Sequence, residues 1–206
     1  MTRRVVVVAL APPVWTPPGV DPATWRRALA DDAVDLLATL AAVDPALAVI
    51  EADRAFAAAV AWPSMQVYAV PALTGGNVLA AAASDGYEQA AVLAGDAPDL
   101  PGMLIAKLLR PLTTRPVAAA PDAAEEAGLL GFACRLPVPE WLPYVDLDVG
   151  TVAAVRNAAP AATDVIGTPG WHRLRTPAAL SWLDPALDGW EATRSLLSRG
   201  GSLAVS

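Results

Sequence analysis

The chain predicts a three-layer α/β/α fold built on a mostly parallel sheet, and three observations carry that prediction. Strand-length apolar runs such as Val5–Leu10 and Ala90–Ala94 do not alternate with polar residues. That is the pattern of strands covered on both faces. Between these runs lie segments whose apolar residues recur at helical spacing, and strands alternating with helices form a parallel sheet sandwiched by helices. A length of 206 residues suits one such domain, with no internal repeat and no linker long enough to divide it. The domain is expected over residues 1–198, with residues 199–206 as a flexible tail.

Taken in order, Val5–Leu10 is the first buried strand, followed by a proline-rich turn from Pro12 to Pro18. Asp21-Pro22 reads as a helix N-cap with proline in the first turn. Leu29, Val34, Leu36, Leu37 and Leu40 then mark a helix running to Val43. A short strand is expected at Leu47–Glu51, a helix at Asp53–Ala61 and a third strand at Gln66–Val70. Gly75-Gly76-Asn77 opens a helix over Val78–Ala83, ended by Asp85-Gly86. Ala90–Ala94 runs straight into the loop Gly95-Asp96-Ala97-Pro98-Asp99-Leu100-Pro101, and a helix follows to about Leu112. Strands are expected at Arg115–Ala120 and Gly128–Leu136, and a helix at Asp148–Ala158. Gly170–Leu174 reads as extended, Ala178–Leu183 as a helix capped by Thr176-Pro177, and Trp190–Leu197 as a last helix, with fraying from Ser198.

Composition excludes several classes of function. Hydrophobic residues make up 55% of the chain and charged ones 17%, below the usual ~25%. Oligomerisation, a homodimer first, is one ordinary way to cover the apolar surface that remains. The apolar stretches are broken by Asp, Pro or Gly before reaching the ~20 residues of a membrane span, and Val5–Ala11 stops at Pro12-Pro13 without a signal-peptide cleavage site. A cytoplasmic protein is expected. One cysteine, Cys134, sits in an apolar run, and one histidine, His172, stands alone, so disulfide frameworks and Cys- or His-rich metal sites are excluded. A net charge of -7 with a single lysine, Lys107, argues against nucleic acid. The chain has no G-x-G-x-x-G after its first strand, no phosphate-binding G-x-x-x-x-G-K-[ST] and no G-x-S-x-G.

What remains is the loop after the buried strand. In open α/β sheets ligands sit at the carboxyl ends of strands, and Asp96 follows such a strand directly. A carboxylate there needs solvent, a donor or a cation, and a hard cation on substrate phosphates needs only one or two of them. Asp96 is thus the first candidate for metal or nucleotide contact; closing a turn through backbone N–H groups is the alternative. Asp99 is placed to cap the helix that begins near Pro101. Gly75 and Gly76 could present N–H groups to an anion, or form a plain turn. Arg173 and Arg175, on one face of an extended segment beside His172, could touch phosphate or lie along the surface. Asp146 and Asp148 form a second acidic pair, with Asp148 also suited to cap the helix near Thr151. Among the seven tryptophans, Trp15 in the first loop is of most interest if exposed.

The strand followed by Gly-Asp-Ala-Pro-Asp-Leu-Pro resembles the radical-SAM/selenodomain-associated transferase family, which groups with GT-A glycosyltransferases and with nucleotidyltransferases. Its members carry Gly-Ser-Asp-Cys-Pro-Asp-Leu at this place. Trp25-Arg26-Arg27-Ala28-Leu29, Gly75-Gly76-Asn77-Val78-Leu79, Gly128-Leu129-Leu130-Gly131-Phe132 and Arg175-Thr176-Pro177-Ala178-Ala179-Leu180 resemble further family segments in order. The resemblance implies a Rossmann-like GT-A nucleotide-diphospho-sugar transferase fold that binds a nucleotide or nucleotide-sugar. It also implies a divalent cation, Mg²⁺, at Asp96; in an active transferase Asp122 or Glu125 would share that metal, Gly75, Gly76 and Asp96 would lie at the nucleotide, and Arg173 or Arg175 would supply positive charge. The departures are the family's basic first loop, replaced by Ala11–Val20 without Lys or Arg; the family's Gly-Gly, replaced within Asp122–Ala127; and a closing aspartate that is Arg175 here. Two readings stay open: a nucleotide-dependent transferase, or a catalytically degenerate domain of that fold acting as a binding or scaffold protein.

Overall fold

The computed structural model describes residues 2–142 and 144–199. One seven-stranded sheet has the order β3-β2-β1-β4-β6-β5-β7. Its strands are β1 (Arg4–Ala9), β2 (Asp44–Ile50), β3 (Gln66–Val70), β4 (Gln89–Ala94), β5 (Val117–Pro121), β6 (Leu129–Arg135) and β7 (Val165–Gly167). The helices are α1 (Pro22–Ala38), α2 (Arg54–Val60), α3 (Gly75–Ser84), α4 (Gly102–Leu109), α5 (Val152–Ala158) and α6 (Glu191–Arg199). The strands β3, β2, β1 and β4 are mutually parallel, whereas β6 runs antiparallel to both β4 and β5. The expected α/β fold is the one observed, as a mixed sheet that is parallel over most of its width.

The unalternating strands are explained by their two faces. Val6 and Val8 of β1, Leu47 and Val49 of β2 and Leu93 of β4 pack under α1, α2 and α4. Val5 and Val7, Ala46 and Ala48, and Ala90 and Val92 pack on the other side, where α3 and Val155 of α5 cover them. Cys134 is fully buried on this second face, and burial pushes its thiol up to about 12. It is an inert core residue.

Local signals set most element ends. Asp21 accepts from Thr24 N at 2.8 Å and caps α1, as its sequence predicts. The helix stops at Ala38 rather than Val43, and the chain then turns through Ala42 at φ 63°. The helix expected from Asp148 begins at Val152, because Thr151 Oγ1 takes Ala154 N and supplies the cap. The segment around Trp171 makes one bridge to Asp122 instead of a strand, and the short strand β7 lies where sequence suggested none. Residues 177–182 form a 3₁₀ turn. The helix α6 continues through Ser198 to Arg199; the rest of the expected tail, 200–206, lies outside the described residues. No described helix is long and apolar enough to cross a membrane.

A third cluster joins the two ends of the chain. Trp25 and Leu29 of α1 pack with Leu174, Leu183, Trp190 and Leu197, and Trp15 sets its ring edge-on to Trp25 at 6.3 Å. Trp15 is thus packed against the body rather than free in the first loop. Beside this cluster the buried Asp32 of α1 accepts Ala192 N at 2.9 Å and Thr193 N at 2.8 Å, capping α6 from another helix. Burial pushes the Asp32 carboxyl up to about 6, against the opposing pull of those N–H groups. Because the folded value lies above the unfolded one, the folded state holds the extra proton between about pH 4 and pH 6. Stability should therefore fall as pH rises through that window. The fall should be absent in Asp32→Asn, as read by urea unfolding at several pH values; parallel pH profiles for the two proteins would refute this.

Candidate functional site

The chain leaves β1 toward β2 and β3 on one side, and returns to β4 on the other side of β1. The carboxyl ends of β1 and β4 therefore flank a topological switch point, where an open sheet makes a crevice. A cleft of about 130 Å³ occupies it, smaller than the roughly 300–1,000 Å³ of a typical small-molecule pocket. Its walls come from Leu10–Val14 after β1, Gly95 and Asp96 after β4, Arg26 and Leu29 of α1, Phe56 of α2, and Asp146–Asp148 with Arg173. Arg26 is itself engaged, pairing with Asp53 at 2.6 Å, donating to Leu10 O and lying over the Phe56 ring.

Asp96 stands where the sequence placed it, at the end of β4 and facing the cleft. Its carboxylate is taken by Arg173: Nε to Oδ1 at 2.6 Å and Nη2 to Oδ2 at 2.9 Å. Arg173 also reaches Asp148 Oδ1 at 2.7 Å from Nη2, and Leu147 O at 2.8 Å and Leu129 O at 3.3 Å from Nη1. A guanidinium has five N–H donors, and these five bonds use them all. Arg173 is buried, which by itself disfavours its charge, yet Asp96 and Asp148 raise its pKa above the ordinary arginine value. The surface alternative for this residue is corrected: it is an internal cation, held because a buried charge requires paired, hydrogen-bonded partners.

Neighbouring residues tighten the same arrangement. Leu174 N donates to Asp96 O at 2.7 Å, and Asp122 Oδ1 accepts from Ala124 N and Arg173 N. Asp122 Oδ2 is buried without a partner, and burial raises this carboxyl above its usual range. Arg175 donates to Asp148 O at 3.0 Å and stays 3.9 Å from the Asp148 carboxylate. Asp148 thus pairs with arginines and caps nothing. Asp99 is not the cap of α4 either, since Pro101 occupies that position with no side-chain bond. Its buried carboxylate accepts Trp171 Nε1 at 3.0 Å and Asp184 N at 3.4 Å. His172 Nε2 lies 3.0 Å from Asp99 Oδ1 but makes no hydrogen bond to it. Trp171 and Arg173, on either side of His172, thereby grip both aspartates of the loop.

The remaining candidates lie apart. Gly75 N donates to Val145 O at 2.9 Å, and a Cβ there would fall well inside 3.0 Å of the Phe132 ring. Gly75 is a packing position, and its N–H is not free for an anion. Gly76 is exposed with open space around it, and Thr74 caps the helix they begin. Glu125 is exposed at the rim of an adjoining depression that also carries Glu126, Arg175, Val14 and Asp148. Asp96, Asp122 and Glu125 therefore do not converge, and among the described residues no three His, Cys, Asp or Glu side chains form a metal-holding group. The donor set does not fit a divalent ion at Asp96, because a buried guanidinium already faces both of its oxygens.

No family model matches the sequence, and no curated protein matches it. Solved structures do. A protein of Desulfovibrio desulfuricans G20, assigned as a nucleotide-diphospho-sugar transferase, superposes with a TM-score of 0.66 at 20% identity, covering 97% of this chain and 98% of that one. CMP:2-keto-3-deoxy-manno-octonic acid synthetase complexed with CTP gives 0.56 at 15% identity, over 97% of this chain and 100% of that one. Glucosyl-3-phosphoglycerate synthase of Mycobacterium tuberculosis, in complex with Mn²⁺, UDP-glucose and phosphoglyceric acid, gives 0.57 at 14% identity, over 97% and 80%. Divalent metal and nucleotide ligands thus occur among the structural neighbours, and this chain has the fold of nucleotide-diphospho-sugar and nucleotidyl transferases.

Proposed function

We propose that the protein is transferase-like and binds a nucleotide or nucleotide-sugar in the crevice above β1 and β4, as a divergent relative of the radical-SAM/selenodomain-associated transferases. The observation that carries the reading is the switch-point cleft, opened by the loops after β1 and β4 with Asp96 at its floor. Arg26 and Arg173 line the cleft and Arg175 the adjoining depression, and these are the cations an anionic ligand would meet. Mg²⁺ at Asp96, the expectation attached to the resemblance, would require Arg173 to release both carboxylate oxygens. The reading accordingly separates nucleotide binding from divalent-ion binding. CTP, GTP, UDP-glucose and related nucleotides at millimolar concentration should raise the melting temperature by at least about 2 °C, and Val14→Trp at the cleft mouth should abolish the shift. No shift with any of them would overturn the reading.

A second reading is favoured by a specific observation: the loop Ala11–Val20 brings no Lys or Arg to the crevice, and the acids opposite it are committed to Arg173. On that reading the domain has given up transfer chemistry and serves as a binding or scaffold protein, as a homodimer. Light scattering showing a monomer would count against it, and release of pyrophosphate or nucleoside diphosphate on incubation with donor and acceptor would exclude it.

A further inference from the structure

Three aspartates, Asp96, Asp146 and Asp148, line the crevice together with Arg173. Two of them, Asp96 and Asp148, share one cation, as like charges in a half-buried place require. Mg²⁺ does this elsewhere through one or two carboxylates together with substrate phosphates and waters. Here the oxygens that such an ion would need are already spanned by one guanidinium, bidentate on Asp96 and single on Asp148. Two carbonyl oxygens, of Leu129 and Leu147, complete its shell. The acceptor shell of Arg173 is therefore all oxygen, drawn from separate parts of the chain, as a cation's shell would be. Unlike an ion it cannot leave, and arginine does not deprotonate in proteins.

We propose that Arg173 is the resident cation of this crevice, a tethered guanidinium standing where a divalent ion would otherwise bridge Asp96 and Asp148, so that the crevice takes its ligand without divalent metal. The last clause rests on the reading given above; the first does not. A bound guanidinium repels a second cation at the same oxygens, and removing it leaves Asp96 and Asp148 without their shared counter-charge.

The test is Mn²⁺ alone, without nucleotide, followed by the loss of the free-ion electron paramagnetic resonance signal. Wild-type protein should leave the signal unchanged at millimolar Mn²⁺. Arg173→Met should bind about one ion per chain, at least tenfold more tightly than wild type, and Arg173→Met with Asp96→Asn should lose that binding. Mn²⁺ bound by wild type and lost in Asp96→Asn would overturn the proposal. So would a folded Arg173→Met protein that binds none. If circular dichroism shows that variant unfolded, Arg173→Gln, which retains a polar planar head, takes its place with the same outcomes. A failure of nucleotide binding leaves these results standing, since no nucleotide is present in them.

Discussion

Replacing Arg173 by alanine is expected to lower stability by about 3–5 kcal/mol, the usual cost of removing one partner of a buried ion pair. For a chain of this size that corresponds to a fall in melting temperature on the order of 10 °C. The cause is specific. Asp96 would lose both of its charged donors, Leu129 O and Leu147 O would lose theirs, and the segment Trp171–Arg175 would lose its main side-chain anchor. Lysine should restore only a part, because a point charge with three donors cannot make the bidentate contact. Thermal melts followed by circular dichroism decide it. A melting temperature within about 2 °C of wild type would mean that the network adds no net stability.

Gly170→Ala is expected to cost about 3 kcal/mol, at the upper end of what overpacking does. A Cβ at Gly170 would fall well inside 3.0 Å of Pro121 O, which is backbone at the end of a sheet strand and cannot swing aside. The next residue, Trp171, bridges to Asp122. The substitution should therefore push the segment Trp171–Arg175 away from the loop that follows β4 and loosen the Asp96–Arg173 contact at a distance. Hydrogen exchange at Leu174 N, which donates to Asp96 O, should quicken in step with the lost stability. Gly76→Ala, where a Cβ meets nothing within 4 Å, is the matched control and should change little. Equal stability of the two variants would contradict the packing argument.

The sheet was legible where burial writes itself into local sequence. β1 and β4 are apolar on both faces, so their runs do not alternate, and β3 was placed at its observed bounds. Strand direction is not written locally: β6 looks like any other buried strand, and only its neighbours make it antiparallel. β7 has three residues, too few to show a period. The candidate site was legible in place but not in state. Asp96 could be found because it ends a buried strand, whereas its partner Arg173 lies 77 residues away. No window of sequence shows that an arginine beside a lone histidine will be buried. Asp99 and Asp148 were misread for a related reason. Each sits just before a helix, which is where capping aspartates sit, and only the folded chain brings Trp171, Asp184, Arg173 and Arg175 to claim them instead.

The cap that Asp32 places on α6 has a consequence for synthesis. Its two N–H partners lie 160 and 161 residues further along the chain, and Trp190, at 0% exposure, packs in the same cluster as Trp25. At ribosomal rates of about 5–20 residues per second, roughly 8–32 s separate the appearance of Asp32 from that of α6. Throughout that interval the nascent chain carries on α1 the Trp25 indole and, about two turns further on, an Asp32 carboxylate that still lacks its N–H partners. The first helix to be made is thus among the last to be finished.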